Sequence, residues 1–502
     1  MKDLNLSMFR AYDIRTPVAD LPEDLALRLA RAEAAYFRDD LGVPGVLVAH
    51  DARQTGPGCL QLAAEEYARA GLDVIVLPGV CSTSMFYYAA MRHPGLAAVM
   101  FGASHNPAGD TGQKLLAPGV RPVAQHIGPL GGLDRIQELY VAGAHPRPRS
   151  GRGATRAFDP TDEYVAYSLS LAGVRPGGLA GVPILHDYLN GAAGREMMLA
   201  FGVAGARLRP LHYAADGRFP LGDPNPVKAA VIREGLEVLT EERPLLGTFF
   251  DGDGDRIDFY AGDGRYLSSS FVYALILPHI RDRFPQAGLG VYADLKSNPL
   301  AVMEMARTGF QVQVIRNGHS QIKNSLFENP AMVGAVEESA HFYEAFLLDG
   351  ARHCTENTLY IALLVARTWQ EDPGRVERLF EIQGRTARGR EWGYKFPSDH
   401  LRAQVLEAVE RHFLKQGAAA MSRMANGLDL EATLMRRGIP FEIGPDTRLG
   451  GDWLQVCHRV SQSEDGLARW EVVAARPEIA REAKEEIARI AARFGAGEEY
   501  QG

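Results

Sequence analysis

Short apolar runs of strand length alternate along the chain with longer segments whose apolar residues recur every three or four positions. PEDLALRLARAEAAYFRDDLG (22–42) has helical periodicity and a glycine stop, and PGVLVAH (44–50) is a short β run. A further helical pattern at 60–70 precedes the apolar run DVIVLPG at 73–79. This alternation predicts an α/β fold with largely parallel sheets.

One module recurs. GVLVAHDARQTG, GVPILHDYLNGAAG and GLGVYADLKSNPL each run a strand of similar length into an aspartate (Asp51, Asp187, Asp294), then a polar turn and a helical pattern. The repetition predicts three related α/β domains. AGAHPRPRSGRGATR (142–156), rich in Pro, Gly and Arg, reads as a solvated linker. The end of the chain differs, with β-like stretches around 438–475 and the amphipathic helix PEIAREAKEEIARIAARFG at 477–495, so a fourth, α+β domain is predicted there. The predicted domains span 1–150, 151–262, 263–385 and 386–502.

At 502 residues the chain exceeds a single core, and at roughly 150 residues per domain it holds three or four. Its 46% hydrophobic and 23% charged residues are ordinary for a globular protein. A formal charge of −8 leaves no global positive field to collect nucleic acid. An anionic ligand would therefore need local Arg, Lys and backbone N–H groups. Cys59, Cys81, Cys354 and Cys457 stand far apart with no CxxC pair, against structural zinc and a disulfide framework. The start, MKDLNLSMFRAYD, has no apolar signal core, and no uninterrupted apolar run approaches membrane-spanning length. A cytoplasmic location without a membrane partner is the expectation.

Two loops carry candidate chemistry. In DGDGDR (251–256), directly after the apolar LLGTFF, alternate residues of an extended segment point the same way, so Asp251, Asp253 and Asp255 converge on one side. Three hard oxygens without nearby Cys or His select Mg²⁺ or a similar cation. The glycines permit a tight turn, and Arg256 offers a second cation to a metal-bound phosphate. A calcium EF-hand is disfavoured because Arg256 and Gly262 stand where its Gly and Glu belong. A haloacid-dehalogenase-type phosphatase with Asp251 as nucleophile is the stronger rival, and a solvated turn the plainest one. In VMFGASHNPAGDTGQK (99–114) an apolar strand ends at a small-residue turn presenting Ser104, followed by His105, Asn106 and, ten residues on, Lys114. A serine carrying a phosphoryl group that faces a cation explains both loops together, whereas alone Ser-His-Asn-Pro is also an ordinary capped turn.

GASHNP with the downstream GQK, DGDGDR, and FRAYDIRTP at 9–17 together resemble the α-D-phosphohexomutase superfamily, most closely its bacterial phosphomannomutase/phosphoglucomutase members. The resemblance implies a heart-shaped arrangement of four domains, three related α/β domains with mixed sheets and a C-terminal α+β domain. It implies Ser104 as the phosphorylated serine, His105 as a shaper of its loop, and Mg²⁺ held by Asp251, Asp253, Asp255 and the phosphoserine. Arg15, Lys114 and Arg256 would lie near the transferring phosphoryl group, with Lys114 and His319 as candidates to move a proton and Tyr12 touching substrate. RNGHSQIK (316–323) resembles a segment that offers His319 and Lys323 to the sugar. VEESAH (336–341) resembles a sugar-reading loop supplying Glu337, Ser339 and His341, although Val336 and Ala340 replace its glycines. Lys296, in the turn of the third module, joins the substrate-binding candidates. RVSQSED (459–465) is similar to a phosphate-holding loop, with Arg459, Ser461, Gln462 and Ser463 as its donors and Asp465 where a proline is usual.

The activity implied is interconversion of hexose 6-phosphate and hexose 1-phosphate (mannose, glucose or both) through a hexose 1,6-bisphosphate, which also serves as activator. Phosphoglucosamine mutation, the Asp251 phosphatase and a non-catalytic sugar-phosphate binder are the alternatives. The expected partners are small sugar phosphates, with the chain a monomer or dimer.

Overall fold

The computed structural model describes residues 4–146, 151–389, 391–460 and 466–501. The chain forms two compact units, Met1–Tyr266 with Gly318–Pro330 and Ala340–Glu371, and Leu267–Asn317 with Ala331–Ser339 and Asp372–Gly502. It is a mixed α/β protein with several mixed sheets.

In the first unit, a seven-stranded sheet runs Ile14–Pro17, Asp110–Ala117, Ala97–Phe101, Gly45–His50, Asp73–Val80, Thr155–Ala157, with Arg121–Val123 paired to Asp110–Ala117. Gly45–His50 is parallel to both of its neighbours and buried at all six positions, as expected for a strand covered on both faces. Helix Glu23–Ala35 has acidic residues in its first turn, where the helix dipole favours them. Its Leu29, Ala32 and neighbouring Tyr36 pack with Val46 and Val48 in one apolar core. A second sheet places Pro183–Asp187 between Arg207–Leu211 and Leu246–Phe250, parallel to each, and Ile257–Ala261 returns antiparallel. The second unit repeats the pattern: Gly290–Asp294 lies parallel between Gln311–Ile315 and Met332–Glu337. Its remaining sheet is antiparallel, built on Leu454–Val460 between Asp429–Arg437 and Leu467–Ala474. Helix Pro477–Ala492 packs Ile479, Ala483, Ile487 and Ile490 into that sheet's core, the spacing of one helical face.

All three strand–aspartate modules are present, each followed by a helix: Gly56–Arg69, Gly194–Val203 and Pro299–Ala306. Asp51, Asp187 and Asp294 each accept a bond from the backbone N–H two residues on, at Arg53, Leu189 and Lys296. This Asx turn is why an aspartate ends each strand.

Two readings of the sequence are corrected. The end of the supposed linker is strand Thr155–Ala157, parallel to Asp73–Val80, while 147–150 lie outside the described residues. Arg152 pairs with Glu65 and the Ala154 N–H donates to Asp73, so the local turn residues give way to a free sheet edge. The β-like stretch from 438 starts late, because Pro440, Pro445 and a run of glycines keep 438–453 out of the ladder between Arg437 and Leu454. Among the described residues, no helix is long and apolar enough to cross a membrane.

Helix Glu23–Ala35 also buries a carboxyl remote from the candidate chemistry. Glu33 is 0% exposed and accepts a bond from the Tyr67 hydroxyl at 2.5 Å. Burial pushes its pKa up to about 8. With the folded value raised, its contribution to stability is present at acid pH and is lost as pH rises from the ordinary 4.5 through about 8. Each pKa unit corresponds to about 1.4 kcal/mol. Glu33→Gln should therefore raise the thermal midpoint over the parent at pH 8, with the gap closing towards pH 5. An unchanged gap across that window refutes a neutral Glu33 in the folded protein.

Candidate functional site

Leu246–Phe250 ends at Asp251, and the acidic loop folds back before Ile257–Ala261. Gly252 and Gly254 are required there. A Cβ on Gly252 would lie 2.5 Å from the Ser104 carbonyl oxygen, and Gly254 has φ +71° with a virtual Cβ 2.7 Å from Ala193. The three carboxylates are buried, with candidate ligand oxygens all within 4.8 Å of one another. Asp251 Oδ1 accepts from the Gly254 and Arg256 N–H groups.

Strand Ala97–Phe101 delivers Ser104, which is 2% exposed and held at φ +48°, a left-handed conformation uncommon for serine. Its hydroxyl donates to Asp251 Oδ2 at 2.6 Å, and His105 Nδ1 lies 3.3 Å from it. Arg53 supports this turn from beneath. Its guanidinium donates to the carbonyls of Ser104, Asn106, Pro107 and Asp110 and lies 3.3 Å from Asp51. Arg53 was missed in the sequence, where it reads as part of a polar turn; its place two residues after a strand-ending aspartate was the available signal. Arg15, on the edge strand, donates to Asn106 Oδ1 at 2.7 Å and to the Ala103 carbonyl, and is itself held by Asp13.

Lys114 donates to Asp253 at 2.7 Å and also to Asp255. Burial works against its charge, yet the two carboxylates raise its pKa well above the usual lysine value. In this arrangement the Lys114 ammonium bridges the two carboxylates. Burial would raise Asp255, but the Lys114 ammonium beside it brings it down to about 2. Asp253 is likewise lowered by Lys114 against burial and Asp255. Asp251, lacking that partner, is pushed up to about 8 by burial and its two neighbours. Asp253 Oδ1 and Asp255 Oδ1 are buried without a hydrogen-bond partner. Orphaned carboxylate oxygens beside a destabilised third carboxylate are the donor set a hard divalent cation takes, so the residues fit one.

Burial, Arg256 and Arg15 together hold the His105 pKa well below its ordinary value. His319 faces Tyr12 edge-on at 6.1 Å and lies 3.8 Å from Asp13. Burial and Lys323 depress its pKa to about 4, leaving a neutral imidazole. Lys323 is buried. Its side chain is 1% exposed, bonded to the Tyr87 hydroxyl and Glu356, with the ammonium 4.2 Å from the Tyr87 ring centroid. His341 is buried as well, with Nδ1 2.7 Å from Glu356 and Nε2 3.0 Å from Arg256 Nε. Glu356 and Thr83, which donates to Asp253 at 2.6 Å, carried no sequence signal.

In the second unit, Arg459 forks onto Glu391 at 3.1–3.3 Å, Arg469 joins the same carboxylate at 3.0 Å, and Lys296 lies 3.9 Å away. Burial disfavours the charge on Glu391, but Arg459, Lys296 and Arg469 bring its pKa to about 2. Asn317 donates to Glu337 and to Asp294, which also takes the Glu338 N–H. Ser339 is half-buried in the following turn. Ser461, Gln462, Ser463 and Asp465 lie outside the described residues.

The chain matches the family model for phosphoglucomutase/phosphomannomutase alpha/beta/alpha domain I over residues 6–127, which hold Ser104 and Lys114, and domain II over 162–264, which hold the acidic loop. It is 29% identical over 350 residues to a phosphomannomutase of Salmonella montevideo, spanning 68% of this chain and 74% of the relative. It is 28% identical over 342 residues to a phosphomannomutase/phosphoglucomutase of Pseudomonas aeruginosa, spanning 68% and 70%. A phosphoglucomutase/phosphomannomutase family protein from Burkholderia thailandensis shares the fold, with a TM-score of 0.77, 22% identity and 99% of each chain covered. Together these matches place the chain in the α-D-phosphohexomutase superfamily.

Proposed function

We propose that this chain is a phosphohexomutase that interconverts hexose 6-phosphate and hexose 1-phosphate, of mannose, glucose or both, through phosphorylated Ser104 and a hexose 1,6-bisphosphate. One observation carries the reading: the Ser104 hydroxyl sits 2.6 Å from Asp251 within a triad of buried carboxylates, with Arg15 bonded to the preceding Ala103 carbonyl and Arg256 3.7 Å from Asp251. The names of the two relatives support the choice of sugars. The Asp251 phosphatase alternative is disfavoured, because both Asp251 oxygens are taken up by the Ser104 hydroxyl and the Gly254 and Arg256 N–H groups, and it leaves Ser104 without a role.

A phosphoryl group on Ser104 passes to the free hydroxyl of the bound hexose monophosphate. The serine O–P bond breaks, a P–O bond to the sugar forms, the hydroxyl proton leaves to the neutral imidazole of His319, and the departing serine oxygen takes up a proton from water. Reversal at the other end of the bisphosphate restores phosphoserine, and added bisphosphate primes a dephosphorylated chain. Mg²⁺ held by Asp251, Asp253 and Asp255 would supply positive charge to the phosphoryl oxygens. Arg15 and Arg256 orient those oxygens and balance their charge, and Lys114 keeps Asp253 and Asp255 ionised. Sugar-binding roles are assigned to Tyr12 and His341 in the first unit and to Glu337 and Ser339 in the second, and a phosphate-binding role to Arg459 with Lys296. Lys323 keeps only an indirect part through its buried partners.

Ser104→Ala should lose nearly all turnover while still binding hexose phosphate, and labelled hexose 1,6-bisphosphate should mark Ser104 in the parent; half-retained activity refutes the phosphoserine role. Titration calorimetry of chelator-treated protein with Mg²⁺ should give one site, absent in Asp253→Asn, and equal binding by the two proteins would place the metal elsewhere. Loss of a charge-assisted hydrogen bond costs about 1.5–3 kcal/mol. Arg459→Ala should accordingly raise KM about tenfold to a hundredfold with a smaller change in kcat, and an unmoved KM removes Arg459 from the phosphate.

A further inference from the structure

We propose that Glu356 is a positioning residue, which acts through His341 to fix the guanidinium of Arg256 so that its two terminal amino groups, and not Nε, face the transferring phosphoryl group. The inference rests on the phosphoryl role given to Arg256 above. The chain of contacts lies within the first compact unit. Glu356 Oε1 stands 2.7 Å from His341 Nδ1, and Arg256 Nε stands 3.0 Å from His341 Nε2. Arg256 Nε–H can only donate, so Nε2 is the acceptor and the ring proton resides on Nδ1, donated to Glu356. Glu356 thereby sets the tautomer that makes the Arg256 bond possible.

The anchor is itself held. Glu356 Oε2 takes the Lys323 ammonium at 3.3 Å, and Lys323 bonds the Tyr87 hydroxyl, so helix His319–Glu328 and helix Thr83–Arg92 both brace the carboxylate. Both side chains of the Glu356–Lys323 pair are 1% exposed. Arg256 is 16% exposed and 3.7 Å through Nε from Asp251, and among the described residues its terminal amino groups have no hydrogen-bond or ion-pair partner. A guanidinium can meet an anion side-on, through Nε and one terminal nitrogen, or end-on through both terminal nitrogens. With Nε committed to His341, only the end-on fork remains. The burial of the Lys323–Glu356 pair acquires a purpose: it holds rigid the acceptor that faces His341 Nδ1.

The test is a double-mutant cycle on the Mg²⁺-loaded, bisphosphate-primed enzyme. Glu356→Met is paired with Lys323→Met so that no buried charge is stranded. That pair should lower kcat roughly three- to tenfold, the worth of one neutral hydrogen bond, with KM nearly unchanged. In an Arg256→Ala background the same pair should produce no further fall. Glu356→Gln, which restores an acceptor, should recover most of the kcat. An equal fall in both backgrounds would mean that Glu356 acts only on stability, and it overturns the inference. Normal kcat in Arg256→Ala alone would instead defeat the phosphoryl role of Arg256, and the inference with it. Should the paired variant not fold, Glu356→Leu with Lys323→Gln, in the parent and in Arg256→Ala, is judged by the same two outcomes.

Discussion

Three carboxylates in one buried loop are the constraint around which the first unit is organised. Two like charges 4–5 Å apart repel by about 3–4 kcal/mol at an effective dielectric of about 20, and desolvation adds to the penalty. Lys114 offsets part of it for Asp253 and Asp255, which stay ionised. It does nothing for Asp251, whose carboxyl is left with a strongly raised pKa. A single ammonium therefore leaves the loop one cation short. The unbonded oxygens of Asp253 and Asp255 point to where that cation belongs.

The serine turn is shaped by the same shortage. Ser104 approaches so closely that its hydroxyl bonds Asp251 and its carbonyl excludes any side chain at position 252. A phosphoryl group on that hydroxyl would bring further negative charge to the loop, so the surroundings must supply cations. They do so by layers. Arg53 is spent entirely on the backbone of the turn and on Asp51. Arg15 is divided between Asp13 and Asn106, and Arg256 keeps its terminal amino groups unspent. The distinction between guanidiniums that build and a guanidinium that waits follows from counting hydrogen bonds, and composition does not contain it.

Much of this was legible in the chain. Strand–aspartate–turn–helix modules, the acidic hexapeptide and the serine turn all occupy the elements their residues predict, because each depends on local chemistry: alternation, glycine tolerance, an Asx turn. What was not legible depends on distance in the fold. Glu356 lies a hairpin away from His341, and nothing in CTEN marks it. Lys323 carries a sugar-facing motif yet is enclosed by Tyr87 and Glu356. Thr155–Ala157 reads as a linker because its neighbours are Pro, Gly and Arg, and it becomes a strand only because the Asp73–Val80 edge is free to pair.

The repeated module also explains where function is placed. In each of three sheets the first strand of the module lies between the second and third, so the chain leaves it in one direction and returns on the other side. Ligand crevices open at the carboxyl ends of strands where connections diverge in this way. The serine turn, the acidic loop and the 337–339 turn all follow the third of these strands. In the first module the strand-ending Asp51 reaches across to take the Ala103 N–H beside Ser104, and in the third Asp294 takes that of Glu338. Asp187 keeps the shared bond from the N–H two residues on, at Leu189, but breaks the pattern in its second partner, which is His212. A fourth carboxylate directed at the acidic loop would worsen its repulsion. The loop caps itself, with Asp251 accepting from Gly254 and Arg256, and the one departure from the repeat falls where electrostatics forbids the common solution.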